Sequence, residues 1–246
     1  MPDPMIIALI AATFLLAGMV KGVIGLGLPT VSLAVLTAVL DLPTAMALLL
    51  VPSFATNLWQ ASLGGNAGIL LRRLWPFLLT ATATIWIGAV GLAHFDLSVS
   101  SALLGLLLIV YAGTSLAGFR LSVRAAQEAW FSPLFGSING ILTGMTGSFV
   151  VPGVMYLQAI GLPRDQLIQA MGMLFTLSTI GLGLALQGND MLNADLGLQS
   201  GIALAPALLG MSLGQRIRKR LSETVFRRVF FAALLALGSF IIARAF

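Results

Sequence analysis

Two apolar stretches, one in each half of this chain, are broken by the same punctuation. The first is interrupted at Lys21-Gly22-Val23-Ile24-Gly25-Leu26-Gly27-Leu28-Pro29, and a degraded copy recurs as Thr143-Gly144-Met145-Thr146-Gly147-Ser148, with Pro152 following. A helix that starts inside a bilayer has first amides with no intrahelical partner, and in hydrocarbon each unpaired group is costly, so water or a ligand must satisfy it. Such a break therefore requires a polar cavity. A pair of them in corresponding positions points to a transporter.

The surrounding composition requires a membrane. Of 246 residues 59% are apolar and only 9% charged, with a mean hydropathy of +1.03, which excludes a water-soluble domain of this size. One histidine and no cysteine exclude thiolate chemistry, disulfides and a Cys/His metal cage, and no carboxylate cluster replaces them, so no metal or cofactor is expected. The formal charge of +5 is read as loop lysine and arginine that orient the chain in the membrane rather than as a nucleic-acid surface. An enzyme would need a nucleophile with a base or a metal set, and His94 beside Asp96 in a short loop supplies neither. The glycine spacing is also not a dinucleotide fingerprint, since it sits between membrane segments rather than after a strand.

The apolar run at 4–20 follows Asp3, lacks a basic leader and continues into more membrane-like sequence, so it reads as an uncleaved first helix. Further apolar segments fall at about 29–40, 43–63, 75–93, 98–118, 131–143, 152–161, 166–187, 196–213 and 225–245. This predicts an all-α polytopic membrane protein of about ten helical segments in a single domain. As one helix, 131–161 would reach about 46 Å and 4–40 about 55 Å, while two crossings need about 60 Å. Each is therefore read as a broken, re-entrant hairpin whose shorter second arm opens on proline, Pro29 or Pro152. The halves superpose by hand: Gly22 and Gly25 on Gly144 and Gly147, Pro29 on Pro152, Leu42-Pro43 on Leu162-Pro163 and Thr56 on Thr176. Five segments per half, an odd number, make this a 5+5 inverted-topology repeat, about 4–118 and about 131–245.

Loop charge agrees with that segmentation. Arg72, Arg73, Arg120, Arg124, Arg164, Arg216, Arg218, Lys219, Arg220, Arg227 and Arg228 share one face, opposed only by Arg244 with Lys21 set aside. The other face carries Asp3, Asp41, His94, Asp96, Asp190 and Asp195. The positive-inside rule then puts the arginine loops in the cytoplasm and both termini outside. Trp75 and Trp130 lie at segment ends, as an interfacial belt requires.

With the hairpins entering from opposite faces, the helix starts at Pro29 and Pro152 are expected to aim inward. Their positive dipole ends, with glycines that admit a ligand to the backbone, suit a small anion. The candidate substrate-binding residues are Lys21, Gly22, Gly25, Gly27 and Pro29 in the first copy, and Thr143, Gly144, Thr146, Gly147 and Ser148 in the second. At a hairpin tip Lys21 would be the one cation deep in the membrane; if the first arm spans completely, it lies at the cytoplasmic headgroups as another orientation residue. Asn57 joins them because its amide can donate to an anion, whereas Thr176, Ser178 and Thr179 are assigned to helix packing. Asp41, Asp96, Asp190 and Asp195 all fall in outer loops, so no membrane-embedded acid offers a proton relay.

Gly22, Gly25 and Gly27 match the G-x-x-G-x-G pattern of the TauE/SafE sulfite exporters, also called the four-toluene-sulfonate uptake group, which the chain resembles over its whole length. Here Leu28-Pro29 stands where that family usually continues with more glycine, and the second copy reads Ser148-Phe149. The resemblance implies secondary transport of sulfite, sulfonates or related sulfur or carboxylate anions across a bacterial inner membrane, often as export. A passive anion channel and a non-transporting accessory subunit are the alternatives, and assembly with further copies of the chain is left open.

Overall fold

The computed structural model describes residues 4–119, 121–218 and 222–246; Asp3, Arg120, Lys219 and Arg220 of the charge argument lie outside the described residues. The described chain is all-helical: α1 (Pro4–Ile24), α2 (Leu28–Val39), α3 (Leu42–Ser62), α4 (Ala67–Ala83), α5 (Ile85–His94), α6 (Leu97–Leu116), α7 (Glu128–Thr146), α8 (Gly153–Ala159), α9 (Arg164–Gly188), α10 (Ala194–Arg218) and α11 (Glu223–Ala245), with a 3-10 turn at Ala125–Gln127. Seven helical stretches are long and apolar enough to cross a bilayer, α4 and α5 together forming one of them. The chain is a multi-pass membrane protein. By contrast α2 has 12 residues and α8 only 7, about 18 and 11 Å of rise, so the second arm of each broken stretch is too short to span. The first arm is not: the 21 residues of α1 rise about 31 Å, enough for a crossing.

The chain divides into two compact units, and each takes helices from both halves of the sequence. The first contains Met1–Pro52, Ser101–Ala117 and Leu192–Phe246; the second contains Ser53–Ser100 and Gly118–Met191.

In the first unit α1 lies against α10 with backbone touching backbone. A Cβ added to Gly18 would sit 2.1 Å from Ala207 O, one on Gly22 2.3 Å from Met211 O, one on Gly210 2.0 Å from Leu15 O and one on Gly214 2.2 Å from Met19 O. Only glycine permits that approach. In the second unit α7 packs on α4 and α5 in the same register. An added Cβ on Gly140 would meet Ala81 O, one on Gly144 would sit 2.1 Å from Ile85 O and one on Gly88 2.0 Å from Ile141 O. At the position equivalent to Gly210 stands Thr84, which separates α4 from α5 and donates its hydroxyl to Ser137 O at 2.9 Å. A hydroxyl bridge there replaces the glycine contact.

The two short helices share a second feature. Arg244, from the end of α11, donates to Ala38 O in the last turn of α2, and Arg73 of α4 donates to Ile160 O at the end of α8 (3.1 Å). A guanidinium on the last carbonyls satisfies an orphan acceptor and complements the negative end of the helix. Arg244, the exception to the loop-charge rule, thus has a structural reason. Arg73 also holds Glu128 at the start of α7 in a two-pronged ion pair (2.6 and 2.9 Å), joining α4, α7 and α8.

Pro52, inside α3, has no N–H for Leu48 O. Ser200 of α10, 1% exposed, fills the gap: its hydroxyl donates to Leu48 O (2.9 Å) and accepts from Val51 N (3.0 Å). The first segment of the first unit ends at Pro52, and α3 continues into the second unit from Ser53. Ser200→Ala leaves Val51 N and Leu48 O of a buried segment without that side chain, and is expected to destabilise the protein by about 1–3 kcal/mol; thermal unfolding in detergent measures it, and an unchanged midpoint would show the serine idle.

Candidate functional site

In the first unit the site is a three-residue break between α1 and α2. Lys21 lies in the last turn of α1, where a cation complements the helix end, and it is buried, 5% exposed. Its carbonyl accepts from Gly25 N at 2.8 Å. Gly25 has φ +80° and terminates α1 in a left-handed conformation. Gly27, φ +110°, is the N-cap of α2 and offers no side chain to the amides that follow. The first bond of α2 is Val31 N to Gly27 O, 2.8 Å, so by helix geometry the Leu28 and Thr30 amides have no acceptor within α2. Pro29, the second residue of the helix, has no N–H to satisfy.

The glycine motif divides its labour. Gly22 serves the contact with α10, as described above. Gly25 has open space where its side chain would be, with nothing within 4 Å. Gly27 is confined, its added Cβ falling 2.9 Å from Val20 Cγ1. Room for a ligand is therefore at Gly25. In the first turn of α2 stands a residue the sequence reading passed over: Thr30, 4% exposed, whose Oγ1 has no hydrogen-bond partner among the described residues. The clue was present, since a hydroxyl in the first turn of a helix that begins in a membrane is a donor beside unpaired amides.

The second unit repeats the stop but not the chemistry. Gly147, φ +71°, ends α7 and donates to Thr143 O at 2.7 Å, as Gly25 does to Lys21 O. Gly144, like Gly22, serves helix packing. Thr143 Oγ1 donates to Ser148 O (2.9 Å), while Thr146 Oγ1 donates to Leu142 O (2.6 Å) and accepts from Ser148 N (3.2 Å). The Thr143 hydroxyl as donor and the Thr146 hydroxyl as acceptor fasten the loop to its own helix. Pro152 is the N-cap of α8 rather than its first residue. Gly153 N, the first amide of α8, donates to Asn139 Oδ1 at 2.9 Å. Asn139 is fully buried, and its Nδ2 has no partner. It too escaped the sequence reading, which began the second motif one turn later at Thr143. An amide within a membrane helix was the available signal.

Asn57 belongs to the second unit, on α3, and is fully buried. Near it, Gln60 Nε2 donates to Ile168 O and Gln169 Nε2 to Ala61 O, both at 2.8 Å, so these amides tie α3 to α9. Thr176 and Thr179 bond carbonyls of their own helix, at 2.7 and 2.6 Å, in keeping with the packing role assigned to them.

The sequence family described as sulfite exporter TauE/SafE matches residues 10–241 of the chain. No curated protein and no solved structure matches it.

Because Gly22 and Gly144 meet backbone whereas Gly25 meets open space, alanine is expected to act differently at these positions. Gly22→Ala and Gly144→Ala force helices apart, an overpacking cost of about 1–3 kcal/mol, and should lower the unfolding midpoint clearly. Gly25→Ala adds only left-handed backbone strain of about 1–2 kcal/mol and should leave expression and insertion intact. Equal tolerance of all three in a thermal-shift assay would contradict the packing assignment.

Proposed function

The chain belongs to the sulfite exporter TauE/SafE family, a family of membrane transporters, and from that premise we propose that it is a secondary transporter of a small anion, sulfite, a sulfonate or a related sulfur or carboxylate anion, in a bacterial inner membrane with both termini outside. One observation carries the anion assignment. Lys21 is buried in the last turn of a spanning-length helix, seven residues before the start of a short helix with no side-chain cap. A buried ionisable group in a membrane helix is expensive and marks function by default.

In this reading the anion is held in the first unit by the Lys21 ammonium, the Leu28 and Thr30 amides and the Thr30 hydroxyl, in the space beside Gly25. Gly22, Gly27 and Pro29 shape that loop rather than touch the ligand. Within the second unit the corresponding neutral donors are Asn139 and Asn57, with Thr143, Gly144, Thr146, Gly147 and Ser148 forming the frame. Charge-assisted bonds from an ammonium are the strong ones, so Lys21 sets affinity and the neutral donors set fit. Transport follows by alternating access. Helices in glycine contact, α1 with α10 and α7 with α4 and α5, move as rigid pairs, and α3 flexes at Pro52, where a serine hydroxyl stands in for the missing backbone hydrogen bond.

The test is anion binding and uptake by the purified protein in liposomes. Lys21→Ala is expected to weaken sulfite binding about tenfold or more, about 1.4 kcal/mol per factor of ten, and Thr30→Val severalfold, while Arg72→Ala, in an exposed turn of α4, leaves it unchanged. Equal loss from Lys21→Ala and Arg72→Ala would overturn the site. Uptake that never exceeds electrochemical equilibrium under any imposed gradient would replace the transporter by a channel.

A further inference from the structure

The first unit holds a second cationic feature, remote in sequence from the α1–α2 break. Between the end of α6 and the start of α11 lies a cavity of about 530 Å³ lined by Ser115, Leu116, Thr224, Arg227, Arg228 and Phe231. Its polar groups are two guanidiniums and two hydroxyls, and its apolar wall is Leu116 and Phe231. The Arg227 guanidinium lies 5.9 Å from the centre of the Phe231 ring, within cation–π range. Among the residues whose side chains the structure describes, which leave out Glu223, no carboxylate pairs with Arg227 or Arg228. Two neighbouring like charges on one helix turn therefore meet in one concavity.

Size and position narrow the ligand. Both α6 and α11 are of membrane-crossing length, and the cavity joins the last turn of one to the first turns of the other, which puts it at the level where hydrocarbon gives way to headgroups. A free oxyanion would occupy a small part of such a space and would not use a greasy wall. A phosphodiester with acyl chains attached uses all of it, since guanidinium forks match phosphate oxygens and basic pockets at helix ends bind lipid headgroups. We propose that this cavity is a binding site for an anionic phospholipid, with its phosphate between Arg227 and Arg228, the Thr224 and Ser115 hydroxyls on the headgroup or glycerol oxygens, and its chains leaving along the Leu116 and Phe231 wall. The site is independent of which anion the protein carries.

The test uses the full chain, stripped of lipid in detergent, with thermal unfolding followed during titration with phosphatidylglycerol, phosphatidylcholine or inorganic phosphate. Phosphatidylglycerol is expected to raise the midpoint by about 5 °C, phosphatidylcholine and inorganic phosphate by much less. The double variant Arg227→Gln/Arg228→Gln should need at least tenfold more phosphatidylglycerol for the same shift, and Arg72→Gln should respond as the parent does. A response to phosphatidylcholine equal to that for phosphatidylglycerol, or an undiminished response in the double variant, overturns the site. An equal response to inorganic phosphate overturns the lipid in favour of a soluble anion. Should the double variant fail to fold, Arg227→Lys/Arg228→Lys keeps the charge but loses the fork: native mass spectrometry should then show severalfold fewer phosphatidylglycerol adducts, and unchanged adducts overturn the proposal.

Discussion

Backbone-to-backbone contact between helices is the constraint on which the remaining structure rests. In lipid there is little hydrophobic force to bring one apolar helix to another, so association depends on close packing, and glycine allows the closest. Gly18, Gly22, Gly210 and Gly214 make α1 and α10 one body, and Gly140, Gly144 and Gly88 do the same for α7 with α4 and α5, the Thr84 hydroxyl standing in where a fourth glycine would be. Each broken stretch therefore grows from a helix that cannot shift without dragging its partner. The loop at 25–27 and the loop after Gly147 are mounted on rigid supports, and that lets a few donors keep a fixed geometry.

The short helices are polarised by the same logic. Each has its carbonyl end closed by an arginine from elsewhere in its unit, Arg244 on α2 and Arg73 on α8, and neither has a side-chain cap at its amide end from the residue that precedes it. Stabilising the negative end leaves the positive end as the group still in need of a partner. The two copies meet that need differently. In α8 the first amide is taken by Asn139, and seven residues make a weak dipole. In α2, 12 residues long, the first turn is flanked by a buried lysine and an unpartnered threonine hydroxyl. The asymmetry leaves the buried cation in the first copy, while the second keeps neutral donors.

Much of this was legible in the chain itself. Apolar segments and their lengths are written in composition, so the membrane class, the shortness of the arms after Pro29 and Pro152, and the family all followed from residues that can be pointed to. The stops at Gly25 and Gly147 were readable because a left-handed turn is what glycine supplies. Three things were not. That α1 pairs with α10, and α7 with α4 and α5, is a matter of three-dimensional exchange between the halves, which no local pattern encodes. Gly22 and Gly144 looked like ligand glycines because close approach to a helix and close approach to a substrate demand the same missing Cβ. Thr143 and Thr146 looked like free donors because a hydroxyl that bonds its own loop is indistinguishable in sequence from one that bonds a ligand, while Thr30 and Asn139 fell just outside the motif boundaries drawn around the glycines.

Selenite, the selenium counterpart of sulfite, gives the most direct view of where the anion sits. Crystals of the protein grown with it, measured at the selenium edge, should show an anomalous peak within hydrogen-bonding distance of the Lys21 ammonium and the first turn of α2. A peak confined to the arginines of α11, or no peak near residues 21–30 at concentrations that saturate binding in solution, would contradict the account.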